Sequence, residues 1–329
     1  MTAPLMTDPR HSAPTQPRQA PGHVVMVRPH RFSVNPATAV DNAFQRPNPE
    51  DDDAAPGRAY AEATRLAHAL REAGVEVSLF EDEAGLSPDS VFPNNWFTTH
   101  PDGRVLLCPM FAHNRRRERR QDVVEHLREQ FSVTEVLDWT GAEEYGQFLE
   151  GTGSVVIDHV QQVAYGCRSQ RLTSGLFIRF CREFGLRPVL FDAVDRSGRP
   201  IYHTNVVMSV GETIAMLGSE LIPDPVQRQE VLGLLHASGR TVVELDEEQV
   251  TRFAGNVLQL RGTSGPVLAM STTAEASLNA DQLETISAHC RIVAVDVSTV
   301  EGSGGSVRCM LAGVHLPVSR SRASTTSGL

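Results

Sequence analysis

The run Glu301-Gly302-Ser303-Gly304-Gly305-Ser306-Val307-Arg308-Cys309 places a thiol at the end of a glycine-rich loop. Glycines so close together let a backbone turn tightly and approach a ligand without Cβ interference, so the thiol can be aimed. A free cysteine titrates at about pH 8.5, and a neutral-pH nucleophile therefore needs a neighbouring base or cation. His203, in His203-Thr204-Asn205, is the candidate base, and Glu150, in Glu150-Gly151-Thr152-Gly153, is the candidate acid that orients it. Cys, His and Glu together spell covalent catalysis by a thiolate, its base and the group that fixes the base's tautomer. Singly, each residue has a plainer meaning. An unpaired cysteine is usually an inert buried hydrophobe, a glutamate before a turn is usually solvated, and an asparagine is usually a turn residue. The case for a site rests on their falling at equivalent places in a repeated pattern.

That pattern is a strand, a tight turn, a second strand, an amphipathic helix and a strand ending in an acidic residue, and it recurs five times. The first copy runs from Val24-Val25-Met26-Val27 through a helix near Tyr60 to Arg71 and ends at Val75 to Phe80. The second opens at Trp96-Phe97-Thr98-Thr99, has its helix from about Arg119 to Gln130 and ends at Val136-Leu137-Asp138. The third spans Ser154 to Asp192, the fourth Asn205 to Asp246, and the fifth Asn256 to Asp296. Copies two to five start roughly 50 to 60 residues apart, the kind of fixed period that marks a repeat architecture. Such units cannot bury their strands alone, so the expected fold is an α/β, five-fold pseudo-symmetric propeller of ββαβ-type units. Asn94-Asn95, Glu150, His203 to Asn205, and Asn256 stand where first strands begin, so pseudo-symmetry gathers them at one end of the axis. The apolar run Arg291 to Val297 reads as a strand, which places Cys309 beyond a strand end and out of the packing.

Composition bounds the rest. The 329 residues can bury a full core, and residues 1–22, rich in Pro, Ala, Gln and Thr, read as a disordered tail ahead of a single domain over 23–317 and a flexible tail over 318–329. Hydrophobic content is 40% with no apolar run of membrane length and no signal-peptide core, so the expected compartment is the cytoplasm and no membrane association is implied. A net charge of -10 argues against nucleic acid and for a small-molecule partner. All 30 basic residues are arginine, which removes Schiff-base lysines and phosphate-loop lysines from consideration. Five cysteines without a CxxC pair suggest neither a disulfide framework nor a thiolate zinc site. No metal or organic cofactor is implied, and the sequence leaves a homo-oligomer open.

These motifs resemble the guanidino-group-modifying enzymes, the superfamily of arginine deiminase, dimethylarginine dimethylaminohydrolase and the amidinotransferases. Leu149 to Gly153 is similar to its acid-Gly-Gly motif, Gly305 to Met310 to its Cys loop, and His203-Thr204-Asn205 stands at its catalytic His. Pro88-Asp89-Ser90-Val91-Phe92 resembles the segment supplying substrate-binding acids, and Gly166 to Arg171 the loop whose arginine, here Arg171, takes a substrate carboxylate. The run Pro109 to Arg119 most resembles the citrulline-utilisation hydrolase branch. The resemblance implies catalysis by Cys309, His203 and Glu150, with Asp89, Asn94, Asn95, Arg171, Asn205 and Asn256 holding an amino-acid substrate.

The departures from that pattern point to the substrate. Asn94-Asn95 stands where the guanidine enzymes place a glutamate-aspartate or arginine-aspartate pair, and Asn205 where deiminases have an aspartate two residues after the His. Carboxylates clamp a guanidinium by charge-assisted hydrogen bonds, and a buried cation without them costs several kcal/mol. An amide can instead donate to a ureido oxygen and accept from its NH₂. Citrulline is therefore expected to fit better than arginine, while Asp89 and Glu150 keep arginine or a methylarginine open as the alternative. A non-catalytic propeller scaffold is the distant alternative, and it has no need of Cys, His and Glu together.

Overall fold

The computed structural model describes residues 18–46 and 53–319. Its strands pair into five three-stranded sheets built on one plan. In the second to fifth sheets an inner strand runs antiparallel to a middle strand, and the middle strand runs parallel to an outer one across a helix. The first sheet takes β1 (His23–Pro29) as middle strand and β2 (Glu76–Asp82) as outer strand, joined across α1 (Ala55–Glu72). The second is β3 (Phe97–Thr99), β4 (Arg104–Leu107), α2 (Gln121–Gln130) and β5 (Glu135–Asp138). The third is β6 (Val155–Asp158), β7 (Val163–Cys167), α3 (Ser174–Glu183) and β8 (Arg187–Phe191). The fourth is β9 (Met208–Val210), β10 (Ile214–Leu217), α4 (Pro225–Ala237) and β11 (Thr241–Glu244). The fifth is β12 (Leu258–Gly262), β13 (Gly265–Ser271), α5 (Ala280–His289) and β14 (Arg291–Val295).

The period-3.6 burial of Ala59, Ala63, Leu66, Ala67 and Leu70 seats α1 on its sheet, and Gly74, at φ +79°, turns the chain out of it. Asp224 caps α4 through the Val226 amide, and Asn279 with Gln282 forms a capping box on α5. The inner strands β3, β6 and β9 are buried along their whole length, as strands facing a crowded axis must be. Contacts pass from β15 (Ala312–Gly313) to β3, from β6 to β9 and from β9 to β12. The first and fifth sheets share one apolar cluster, where Val24 and Met26 meet Leu260 and Val267.

Three sequence expectations need correction. The first copy lacks an inner strand of its own, and β15 supplies it from beyond Cys309, pairing antiparallel with β1. Two residues are too short for a pattern to register, which is why the sequence did not reveal it. Cys309 is consequently not outside the packing: it is 2% exposed and shares a cluster with Met310 and Leu311. The ordered chain also begins before His23, because Gln19 and Ala20 are buried, and Val318 bridges Phe131 beyond the expected end of the domain. The remainder of the expected tails, 1–17 and 320–329, lies outside the described residues. No described helix is long and apolar enough to cross a membrane.

Candidate active site

Each inner strand is entered through a tight segment, and these five entries meet at one end of the axis. Asn95 ends the short helical turn Pro93–Asn95 before β3. Glu150 and His203 cap the turns Gly151–Ser154 and Thr204–Val207 before β6 and β9. Asn256 precedes β12, and Cys309 precedes β15. Short inner strands thus convert sequence repetition into spatial convergence.

Glu150 and His203 are both inaccessible, and Glu150 Oε2 lies 2.8 Å from His203 Nε2. Burial works against the Glu150 charge, but Arg171, His203 and Arg115 outweigh it and hold the carboxyl at about 2. Arg171 Nη1 is 3.6 Å from Glu150 Oε2 and Arg115 Nη1 is 3.7 Å away, while the Phe111 amide donates to Oε1 at 2.9 Å. Burial pulls His203 down to about 4 even though Glu150 favours its cation. The pair is therefore a carboxylate and a neutral imidazole whose Nε2–H donates to Glu150, leaving Nδ1 as a proton acceptor. The resting histidine is therefore the base of the pair rather than a cation beside the thiol. Gly153 makes this packing feasible, since a Cβ there would lie 2.3 Å from Asn95 Nδ2 and 2.7 Å from the His203 ring.

Two expected substrate ligands turn out to face the sulfur. Asn256 Nδ2 approaches Cys309 Sγ at 3.3 Å and Asn205 Nδ2 at 3.5 Å, while Asn256 Nδ2 also reaches the Asn205 carbonyl at 3.0 Å. Neutral amide donors at a sulfur favour the thiolate as it forms. Asn94 is fully buried but does not border the cavity. The cavity above the sulfur is bordered by Asp89, Asn95, Arg115, Arg171, His203 and Cys309, with Asn42 and Tyr202 closing it. Its volume is about 10 Å³, room for one water and no more.

Arg171 is occupied rather than open. Asp41 clamps it with both carboxylate oxygens, 2.8 Å from Nε and 2.6 Å from Nη2, and the Arg171 guanidinium lies 4.6 Å over the Tyr202 ring. Asn42 donates to the Ser303 carbonyl at 3.3 Å, and the Tyr202 hydroxyl donates to the Gly304 carbonyl. Gly304, at φ +83°, could not carry a Cβ without striking Asn42. Residues 41 and 42 thus form a lid whose acid fills the seat expected for a substrate carboxylate. Beyond the lid, bordered by Asp41, Asn42, Tyr202, Arg168 and Arg199, opens a vestibule of about 870 Å³.

Sequence reasoning assigned no role to Arg115, Glu118, Asp41 or Tyr202. Arg115 is 2% exposed, clamped by Glu118 at 2.8 Å through two nitrogens, and 3.5 Å from Asp89. Burial pushes Glu118 up to about 7 despite Arg115, and it pushes Asp89 up as well. Nothing local in the run Arg115-Arg116-Arg117 marks its first member as buried. Several buried polar atoms have no partner here: Asn95 Nδ2, Asp89 Oδ1, Asn256 Oδ1, and both side-chain atoms of Asn94. Unsatisfied buried donors and acceptors each cost about 1–3 kcal/mol, and a polar ligand that meets them recovers it.

A protein family described as N,N dimethylarginine dimethylhydrolase, eukaryotic, matches residues 28–316. No curated protein sequence matches the chain. Among solved structures, the substrate-bound mutant N-terminal domain of ArgZ, an arginine dihydrolase from the ornithine-ammonia cycle in cyanobacteria, is 16% identical with a TM-score of 0.70, the match covering 90% of this chain and 99% of that one. Unliganded AgrE is 15% identical with a TM-score of 0.71, and there the match covers 90% of this chain and 40% of AgrE. A dimethylarginine dimethylaminohydrolase adduct with S-methyl-L-thiocitrulline is 14% identical with a TM-score of 0.59, covering 88% and 98%. At these identities the structures speak to the fold, and they share its α/β propeller. With the family match running through almost the whole described chain and a Cys, a His and a Glu drawn to one end of the axis, the chain belongs to that dimethylarginine dimethylhydrolase family of the guanidino-group-modifying superfamily and is a hydrolase of carbon–nitrogen bonds other than peptide bonds.

Proposed function

We propose that the protein hydrolyses the ureido group of citrulline, giving ornithine, carbon dioxide and ammonia. The observation that carries this reading is Asn95, a buried neutral amide at the cavity wall whose Nδ2 has no partner. It offers a ureido oxygen a donor where a guanidinium would need an acceptor. Asp89 supports it, since burial raises its pKa and weakens it as a counter-charge for a guanidinium cation. Arginine as the starting substrate is the second reading, favoured by the two acids Asp89 and Glu150 and by the likeness to arginine dihydrolase structures.

In the proposed reaction Cys309 gives its proton to His203 Nδ1 as Sγ bonds to the ureido carbon, and the Asn205 and Asn256 amides stabilise the sulfur's charge. Collapse breaks the carbon–nitrogen bond to the ornithine side chain, and His203 returns its proton to that nitrogen. Water, deprotonated by His203, then attacks the S-carbamoyl carbon, the carbon–sulfur bond breaks, and carbamate leaves and decomposes to carbon dioxide and ammonia. Glu150, ionised throughout, stabilises the imidazolium that forms in each half. Arg171 takes the α-carboxylate once Asp41 releases it.

Ammonia and ornithine release from citrulline, arginine and the methylarginines, measured side by side, tests the assignment. The expected order puts citrulline first, and turnover of a methylarginine alone would overturn it. Asn95→Asp replaces a donor with a carboxylate, so the ratio of kcat/KM for citrulline over arginine should fall roughly ten- to a hundredfold. An unchanged ratio in the folded variant would remove the reason for preferring a ureido substrate. Asn205→Asp, in contrast, sets a carboxylate against the sulfur and should slow every substrate alike. Asp41→Asn leaves Arg171 with a weaker internal partner, so KM for the amino acid should drop roughly tenfold, and a KM that stays put or rises would show that Asp41 does not compete for the seat.

A further inference from the structure

Beside the inner strands lies a second cavity, separate from the catalytic one, that the proposed reaction does not use. It begins under Thr152 of the Glu150 turn, runs past Val156 and Ser209 of β6 and β9, and measures about 40 Å³, enough for a small ion with its closest water. Gln19 closes its far side: Nε2 donates to the Ile157 and Val210 carbonyls at 2.9 and 2.8 Å, and Oε1 accepts from the His159 amide at 2.8 Å. Its polar lining comes chiefly from Arg308, His159 and His315, and no carboxylate among the described residues lines it.

Arg308 is the unusual member. It directly precedes the nucleophile, and its side chain lines this cavity rather than the catalytic one. Nη1 donates to the Leu311 carbonyl at 2.9 Å, and no carboxylate among the described residues acts on it. Arg308 is half-buried, whereas the fully buried arginines among the described residues each have an acid: Arg115 has Glu118, Arg171 has Asp41, and Arg240 has Asp158 at 2.6 and 3.0 Å. Asp158, the acid next to His159 in sequence, is thereby already committed. The His159 and His315 rings lie against each other, tilted by 32° with centroids 3.9 Å apart, and burial favours the neutral form of both, drawing His159 down to about 4. A half-buried guanidinium that faces a cavity and meets no carboxylate among the described residues is an arrangement that a bound anion completes.

We propose that this cavity binds a small monovalent anion of halide or bicarbonate size, with Arg308 as its counter-charge. The volume rules out a phosphate ester or larger carboxylate, and the single cation favours one negative charge over two. Because Arg308 directly precedes Cys309 in the chain and its charge acts on the thiol, a bound anion that neutralises it should slow turnover severalfold. That consequence rests on Cys309 being the nucleophile, whereas binding does not, so the two can fail separately.

Bromide is the probe. Crystals of the full chain grown in bromide should show anomalous density in the cavity at hydrogen-bond distance from the Arg308 guanidinium, and Arg308→Gln should lose it. In solution, saturating bromide should raise the melting temperature by roughly 2 °C or more in the wild type, with no such rise in Arg308→Gln. If Arg308→Gln does not fold, Ser209→Val, which narrows the cavity without touching the cation, should lose the density instead. A cavity free of bromide in the wild type, or density as strong in either variant, overturns the proposal.

Discussion

The site depends on one buried charge. Glu150 is an anion with no solvent access, and it persists because Arg171, Arg115 and the Nε2–H of His203 surround it. Removing any one partner leaves the others mismatched, since an uncompensated buried charge costs several kcal/mol. The same cluster fixes the reactive form of the histidine. With Glu150 anionic and the imidazole desolvated, the ring rests neutral with its proton on Nε2, so its free nitrogen is a base. A network built to hold a carboxylate in the dark thereby also sets the proton inventory for chemistry.

Topology ties this network to the nucleophile. The strand that completes the first sheet follows Cys309 directly, so the ring closes only when the loop bearing the thiol is in place. Loop and lid then fasten each other: Asn42 and Tyr202 both bind the carbonyls of the glycine run. Gly304 serves that contact, since a Cβ there would strike Asn42. Asp41 sits on Arg171, the residue that the sequence expected to take a substrate carboxylate.

Much of this was legible in the sequence because repetition is a strong signal. Five copies of one strand–helix plan predicted five sheets around an axis, and polar residues at equivalent strand entries predicted which side chains would meet. Cys309, His203, Glu150 and Asn95 gather as the pattern required. What stayed hidden depended on distances between segments far apart in the chain. The two-residue strand β15 carries no periodicity, nothing local sets Arg115 apart from the two arginines after it, and Asp41 has no local feature that announces a partner 130 residues away. Asn205 and Asn256 lie beside Cys309, but which way an amide points is set by packing, and both point at sulfur rather than into the cavity.

The account stands on Cys309 carrying the carbonyl carbon between the two halves of the reaction. Acid quenching during steady-state turnover of carbon-labelled citrulline, followed by peptide mass analysis, measures this directly. The account predicts a carbamoyl group on the Cys309 peptide, absent from those of Cys108, Cys167, Cys181 and Cys290, and lost in His203→Ala. Rapid citrulline turnover with an unlabelled Cys309, or label carried on another cysteine, would contradict it.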